Sequence, residues 1–454
     1  MQSFELTKAY IENLKEAIQK EDGKAVLSMI EDLRAADIAD VTAELETEEA
    51  QFVYSLLDKE TSAEAITEME EEDREELFKE LPPEYIAREL INNMDSDDAA
   101  DVLSELSDEL QVEILQKIPD VEQAGDIADL LSYDENTAGG LMATELIRVN
   151  LNWDILTSIR EMRKQAADVD EIYYVYVVDN NNLFKGTVTL KNLLLASGST
   201  KIKNIYDPDN LTVLTDAPAS EVASIMEKYN LVALPVIDNI GRLKGRITID
   251  DVVDVIRDEA EKDYQLMSGI SEDIDSTDNV WMITRARIPW LIIALFGGIL
   301  GSLVIGQFTG ELSLYPQLAM FIPMITAMGG NVGIQSSAII VQGLANNNLG
   351  LESSSQKLMK ELGVALTNGL VLSSLIFGYN ILFTHSYALT IAVSIALFTV
   401  IVFASIFGTF VPLLLNKVKI DPALATGPFV TTVDDIIGVL IYLFIGRYLF
   451  EFMV

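Results

Sequence analysis

Cysteine is absent from this chain of 454 residues, and histidine occurs once. The first absence excludes disulfides and thiolate metal sites. The second leaves soft and borderline metals without their favoured ligands. Positive charge is also scarce: 31 Lys and Arg stand against 71 Asp and Glu, a net charge of −40. Such a surface repels phosphate backbones and excludes nucleic acid as a partner. No G-x-x-x-x-G-K-[ST] run is present, so ATP-driven pumping is not expected and the chain reads as a non-enzyme. The N-terminal MQSFELTKAYIENLKEAIQ is polar and helical, without the apolar stretch of a signal peptide.

What is present is divided unevenly. Residues 285–454 hold seven basic and seven acidic side chains and are neutral, so the whole charge lies in residues 1–284. An acidic half joined to a neutral apolar half points to cations. With thiolate and imidazole removed, the remaining ligands are carboxylate, amide, hydroxyl and carbonyl oxygens. These suit a hard divalent ion: Mg²⁺ fits because it keeps its waters and needs few carboxylates, and composition alone does not separate it from Ca²⁺ or Mn²⁺.

Up to about residue 143 the pattern is helical throughout. "ADIADVTAEL" (36–45) and "DDAADVLSEL" (97–106) resemble each other, each Asp-rich and then apolar at i, i+3, i+4. Pro82 and Pro83 stand where an intervening helix would begin. Short amphipathic helices repeating in this way suggest a small α-solenoid. A clearer repeat follows, "VYVVDNNNLFKGTVTLKNL" (175–193) and "LPVIDNIGRLKGRITIDDV" (234–252). Asp179, Lys185, Gly186 and Thr189 match Asp238, Lys244, Gly245 and Thr248 at constant offset. Each copy reads as strand, turn, strand and a Thr-capped helix, and the pair resembles tandem CBS domains, which are sensor modules. "DDVVDVIRDEAEKDYQLMSGISEDIDSTD" then gives a long acidic connector.

Five apolar runs follow, near 287–309, 316–344, 361–383, 388–415 and 425–447, each long enough to span a bilayer. Lys357, Lys360, Lys417 and Lys419 fall in the second-to-third and fourth-to-fifth connections, and Arg285 and Arg287 precede the first run. The other loops, near Glu311 and His385, carry no Lys or Arg. Six of the seven basic residues therefore place the N-terminal half in the cytoplasm and the C-terminus outside. The expected fold is a cytoplasmic part of helical solenoid (1–143) plus tandem CBS pair (144–256). A long acidic helix (257–284) joins it to an all-α transmembrane domain of five helices (285–454).

Within the last run stand two adjacent carboxylates, Asp434 and Asp435. An Asp near the centre of a spanning helix costs about 2.5–3.5 kcal/mol and usually faces a partner or a wet cavity. No Lys or Arg on another span is available, and Arg447 lies about three turns beyond Asp435. A cation from solution is the partner this implies, against the plainer alternative of a protonated structural Asp. The two carboxylates are rotated by about 100° from each other, so only one can line a given axis. Asp435 shares a stripe with Thr431 or Thr432, Gly438 and Tyr442 and is assigned to the path, with Asp434 secondary. The second run supplies "GGNVGIQSS" (329–337), whose Gly329, Gly330 and Asn331 either let helices touch or line a lumen.

With "YDENTAGGLM" (133–142), "GGNVGIQSS" and "DPALATGPFVTTVDD" (421–435), the chain resembles the MgtE family of magnesium channels and transporters along nearly its whole length. The resemblance implies a homodimer in the lipid bilayer, with the ion path between the two membrane halves and Asp435 as selectivity carboxylate. It further implies Mg²⁺-selective uptake gated by cytoplasmic Mg²⁺, the helix after the CBS pair acting as a plug. The matching regulatory acids are Asp251, Asp254, Glu259 and Asp263, faced by Asp98 and Asp101, with Asp421 a further metal candidate. Two positions depart from the family pattern. Lys262 interrupts the acidic plug stretch. Asn192 replaces the first repeat's counterpart of Asp251, where an Asp often binds a ribose, so no adenine-nucleotide site is assigned. The alternatives are a proton-coupled carrier using Asp434 or Asp435, and a membrane sensor that transports nothing.

Overall fold

The computed structural model describes residues 4, 6–166, 169, 171–272, 274, 278–345, 354–384, 386–425 and 427–453. His385 and the connector acids Asp273 and Asp275 lie outside them. The chain divides into two compact units, Met1–Arg257 and Asp258–Val454.

The first unit opens with short helices from Lys8–Gln19 to Val121–Leu130. Turn chemistry delimits them: the side chains of Asp22, Asp58 and Asp120 accept hydrogen bonds from the first-turn amides of their helices. The two look-alike segments form Ala35–Ala43 and Ser96–Ser104, and the proline pair starts the short turn Pro83–Tyr85. Arg74 is 8% exposed and reaches Glu105 through Nη2 at 2.6 Å and Nε at 2.9 Å, so this buried cation is already neutralised.

Two three-stranded sheets follow: β1 (Arg148–Asn150), β2 (Val175–Val178) and β3 (Phe184–Val188), then β4 (Val213–Leu214), β5 (Ala233–Ile237) and β6 (Leu243–Thr248). In each the first pair is parallel and the second antiparallel, with a register shift after Val177 or Val236. Identical topology at matching positions is what the sequence repeat requires. At the first repeat Thr189 caps the helix by accepting from the Asn192 amide at 3.2 Å. At the second the roles reverse, and Asp251 accepts from the Thr248 amide and hydroxyl at 3.0 and 2.8 Å. One apolar core joins the helices to the second sheet, through Leu103, Ile127 and Met142 against Val222, Leu234 and Ile247. Each such side chain contributes about 1.5–3 kcal/mol, so this packing fixes Ser96–Ser104 against the second repeat.

The connector helix is Ile249–Met267. It ends because Gly269 takes φ +81° and the Ile270 amide turns back to the Gln265 carbonyl at 2.9 Å. The acidic helix expected over 257–284 is thus earlier and shorter, and Ser271–Glu272 form a turn against the first span. The Glu272–Arg285 ion pair, 3.0 Å, holds that turn.

Among the described residues of the second unit five helices are long and apolar enough to cross a membrane: Val280–Gln307, Pro316–Leu344, Ser354–Phe383, Tyr387–Lys417 and Pro428–Phe452. The first and third begin about two turns before their apolar runs, so Arg285, Arg287, Lys357 and Lys360 sit on helix instead of loop. Hydropathy marks the apolar stretch; the backbone hydrogen bonds continue into polar residues beyond it. The fourth helix is central, 61% of its apolar window being buried, against 6% for the first and 11% for the third. Helices exposed along such apolar lengths require a lipid environment.

Candidate ion path and cation-binding carboxylates

The fifth span starts at the corner Gly427–Pro428, where Gly427 has φ +54°. A side chain at Gly427 would collide with the Met267 carbonyl, and one at Gly269 would come within 2.6 Å of Pro428 Cγ. The connector's end therefore rests directly on the beginning of the fifth span, supported by the small cluster Leu266, Val341 and Ala423.

Two turns further on, the adjacent carboxylates diverge as helical geometry demands. Asp434 is fully buried and, among the described residues, neither of its oxygens has a hydrogen-bond partner. Gly329 and Gly333 of the second span press on it: a Cβ on Gly333 would overlap Asp434 Oδ2 and lie 2.8 Å from Val430 Cγ1. Gly330 faces the other way, where a Cβ would stand 2.7 Å from Thr431 Cγ2 and 3.8 Å from Asp435 Oδ1. Asp435 and Thr431 are half-buried and Asn331 is exposed. The structure thus brings Gly330, Thr431 and Asp435 together on a partly open face, and Gly329 with Asp434 in a closed one. Thr431 spends its hydroxyl proton on the Gly427 carbonyl, leaving its lone pairs outward. Arg447 is engaged by Glu311 and Glu451 at 3.2 and 3.3 Å, and among the described residues no ion pair reaches either aspartate.

At the connector's end Asp263 is half-buried, and burial, then the charge of Asp421, push its carboxyl above the ordinary range. Asp421 is exposed and also accepts from the Ala423 amide at 2.8 Å. Asp254 is exposed and pairs with Arg257 at 3.4 Å; Glu259 is exposed. The four connector acids therefore do not form one cluster.

In the first unit Asp98, Asp101 and Asp251 share one field. Burial, then Asp95 and Asp251, raise Asp98 to about 7; burial, then Glu135 and Asp251, raise Asp101 to about 7. Burial also raises Asp251 against the lowering hydrogen bonds from Thr248. Sequence reasoning missed four neighbours. Asp95, Asp97 and Glu145 offer oxygens within 4.8 Å of one another, Glu145 also accepting from Ser96 at 2.8 Å. Asp97 is pushed well up by burial and by Asp98, with one oxygen sealed from solvent and unpartnered among the described residues. Glu135, from the "YDENTAGGLM" stretch, lines a cleft with Asp101, Ser104, Tyr133 and Gly140. An all-oxygen, all-acid set, with the nearby Arg74 committed to Glu105 and Arg246 donating to the Glu171 carbonyl, fits a hard divalent ion.

A pH dependence follows from these shifts. Asp98 and Asp101 bind protons more tightly folded than unfolded, so their contribution to stability is full below about pH 4 and is lost as pH rises through about 7. Without divalent ions, hydrogen exchange within Ser96–Ser104, corrected for intrinsic rate, should be slower at pH 6 than at pH 8. Added Mg²⁺ should slow the pH 8 exchange most. Equal protection at both values would refute the strained-acid picture.

Comparison with known proteins supports one assignment. The MgtE divalent cation transporter family matches residues 322–445, the MgtE intracellular N domain 33–136, and CBS domains 138–199 and 202–258. The magnesium transporter MgtE of Thermus thermophilus is 33% identical over 97% of this chain and 98% of its own length. That of Enterococcus faecalis is 33% identical over 73% of each chain. The solved cytosolic domain of the Mg²⁺ channel MgtE in complex with ATP superposes with a TM-score of 0.51 at 33% identity, covering 54% of this chain and 99% of that one. The soluble part of a magnesium transporter gives 0.50 at 28% identity, over 56% and 99%. The conjunction of an intracellular helical domain, a CBS pair and five apolar helices, related over almost the full length to these transporters, makes this chain a member of the MgtE family.

Proposed function

We propose that the protein is a passive, Mg²⁺-selective transport path, closed by Mg²⁺ bound to its cytoplasmic acids. The observation that carries the reading is Asp435. It is a carboxylate within the fifth apolar helix with no ion-pair partner among the described residues, beside Gly330 and Thr431 on a face that a single chain leaves partly open. A second copy brought to that face by two-fold symmetry would place two such carboxylates around one hydrated ion. Asp435, Thr431 and Gly330 then line the path, Asn331 stands at its edge, and Gly329 and Asp434 pack behind it. A negative interior favours divalent entry by roughly 4.6 kcal/mol per 100 mV, so no other energy source is needed. With six of seven basic residues on one side, the C-terminus lies outside.

Regulation is assigned to two carboxylate groups. Asp98, Asp101 and Asp251, extended by Asp97 and Glu145, hold Mg²⁺ in the first unit. Asp263 and Asp421 hold it at the connector's end, with Asp254 and Glu259 adding charge. Relief of repulsion by bound ion favours the compact arrangement. The test is Mg²⁺ uptake by liposomes containing the full chain, with potential and pH gradient set independently. Uptake should grow with negative-inside potential at zero pH gradient. Uptake that follows the pH gradient at fixed potential would establish the proton-coupled carrier instead, and no uptake at all the sensor.

A further inference from the structure

One carboxylate in the membrane unit has no part in the path described above. Glu361 lies on the third span and is half-buried. Ser336 of the second span donates to its Oε1 at 2.7 Å, and Ser405 of the fourth donates to the same oxygen. Both serines are buried, 4% and 2% exposed, and their hydroxyl oxygens are 3.0 Å apart. Each hydroxyl has one proton, and with both turned to Glu361 neither is left for the other. A single carboxylate oxygen therefore ties three helices together. Hydrogen bonds to an ionised acceptor are roughly twice as strong as neutral ones.

The position of the tie gives it a consequence. Ser336 and Ser405 face each other where the second and fourth spans, which run the same way through the membrane, cross, and Gly333 and Gly408 lie within a turn of them. A Cβ on Gly408 would collide with the Gly333 carbonyl, so the backbones meet there. On its other side Gly333 touches Asp434 and Val430 of the fifth span. Gly330, a turn further along, faces Thr431 and Asp435. The second span is thus held between a hydrogen-bonded seam on one side and the ion-binding helix on the other. Its rotation about its own axis decides where Gly330 stands relative to Asp435.

We infer that Glu361 is a positioning residue for ion selectivity: by anchoring Ser336 and Ser405 it fixes the rotation of the second span against the Asp435 face. The inference rests on the transport reading proposed above. It requires a hydrogen-bond acceptor at position 361 and no ion there.

The experiment compares initial Mg²⁺ and Ca²⁺ uptake into liposomes containing the full chain, for wild type, Glu361→Ala, Glu361→Gln and Ser336→Ala. A misplaced supporting group costs up to roughly 100-fold in a positioned reaction. Glu361→Ala should lower the Mg²⁺ to Ca²⁺ ratio by roughly tenfold. Ser336→Ala, which leaves the charge and one donor in place, should lower it by about threefold. Glu361→Gln keeps an acceptor for both hydroxyls and should restore the ratio to within about threefold of wild type. Unchanged ratios in Glu361→Ala and Ser336→Ala would overturn the inference. So would equal failure of the Gln and Ala variants, since the charge itself would then be what matters. Should Glu361→Ala not assemble, Ser336→Ala and Glu361→Gln still decide. Absence of Mg²⁺ uptake by wild type would instead strike the transport reading.

Discussion

Asp435→Ala should reduce Mg²⁺ uptake at least about 100-fold and abolish preference for Mg²⁺, whereas Asp434→Ala should reduce it by no more than about tenfold. A carboxylate about 5 Å from a divalent ion, with water between, attracts it by roughly 7 kcal/mol at an effective dielectric constant near 20. A third of that is already more than tenfold in binding, since about 1.4 kcal/mol is a factor of ten. Asp435 stands on the partly open face beside Gly330 and Thr431, where such an ion can approach. Asp434 is sealed beneath Gly329 and Gly333, and its removal relieves a buried, unpartnered carboxyl while leaving a small void. Uptake assays on the two variants side by side decide the matter. Equal losses would mean that both carboxylates reach the ion and that the division of faces is mistaken.

That division was legible in the sequence because adjacent helical residues must differ by about 100°. The polar stripe assigned Asp435 to the path, but the sealing of Asp434 could not be read there, since it depends on Gly333 and Gly329 meeting the fifth span about a hundred residues away. The repeats and spans were legible for a similar reason, being carried by periodicity and run length. Single acids were not. In a chain with 71 of them, Asp97, Glu135 and Glu145 carry no signal until folding brings them beside Asp98 and Asp101. Glu361 follows Lys360 near a helix start, where charge is ordinary, and its serine partners lie 25 and 44 residues away. The end of the connector helix did have a local signal, Ser268–Gly269, which the acidic residues around it obscured.

Changing Asp251, Asp254, Glu259 and Asp263 together to their amides should leave currents insensitive to cytoplasmic Mg²⁺ up to roughly 10 mM, where the wild type should be blocked. A site for millimolar ion needs only about 4 kcal/mol, so losing one or two carboxylates removes it. The single variants should differ. Asp251 and Asp263 are held above the ordinary carboxylate range by burial and by neighbouring acids, and Asp251→Asn or Asp263→Asn should raise the half-blocking concentration about 3–10-fold. Asp254 is exposed and paired with Arg257, so Asp254→Asn should change it by less than about twofold. The steady level of the fourfold variant carries further information. If Mg²⁺ bridges carboxylates, amides supply no bridge and the path stays conducting. If the ion acts only by cancelling repulsion, amides imitate it and the path stays shut. Both levels are independent of Mg²⁺; block that persists at the wild-type concentration would show that sensing resides elsewhere than in the connector.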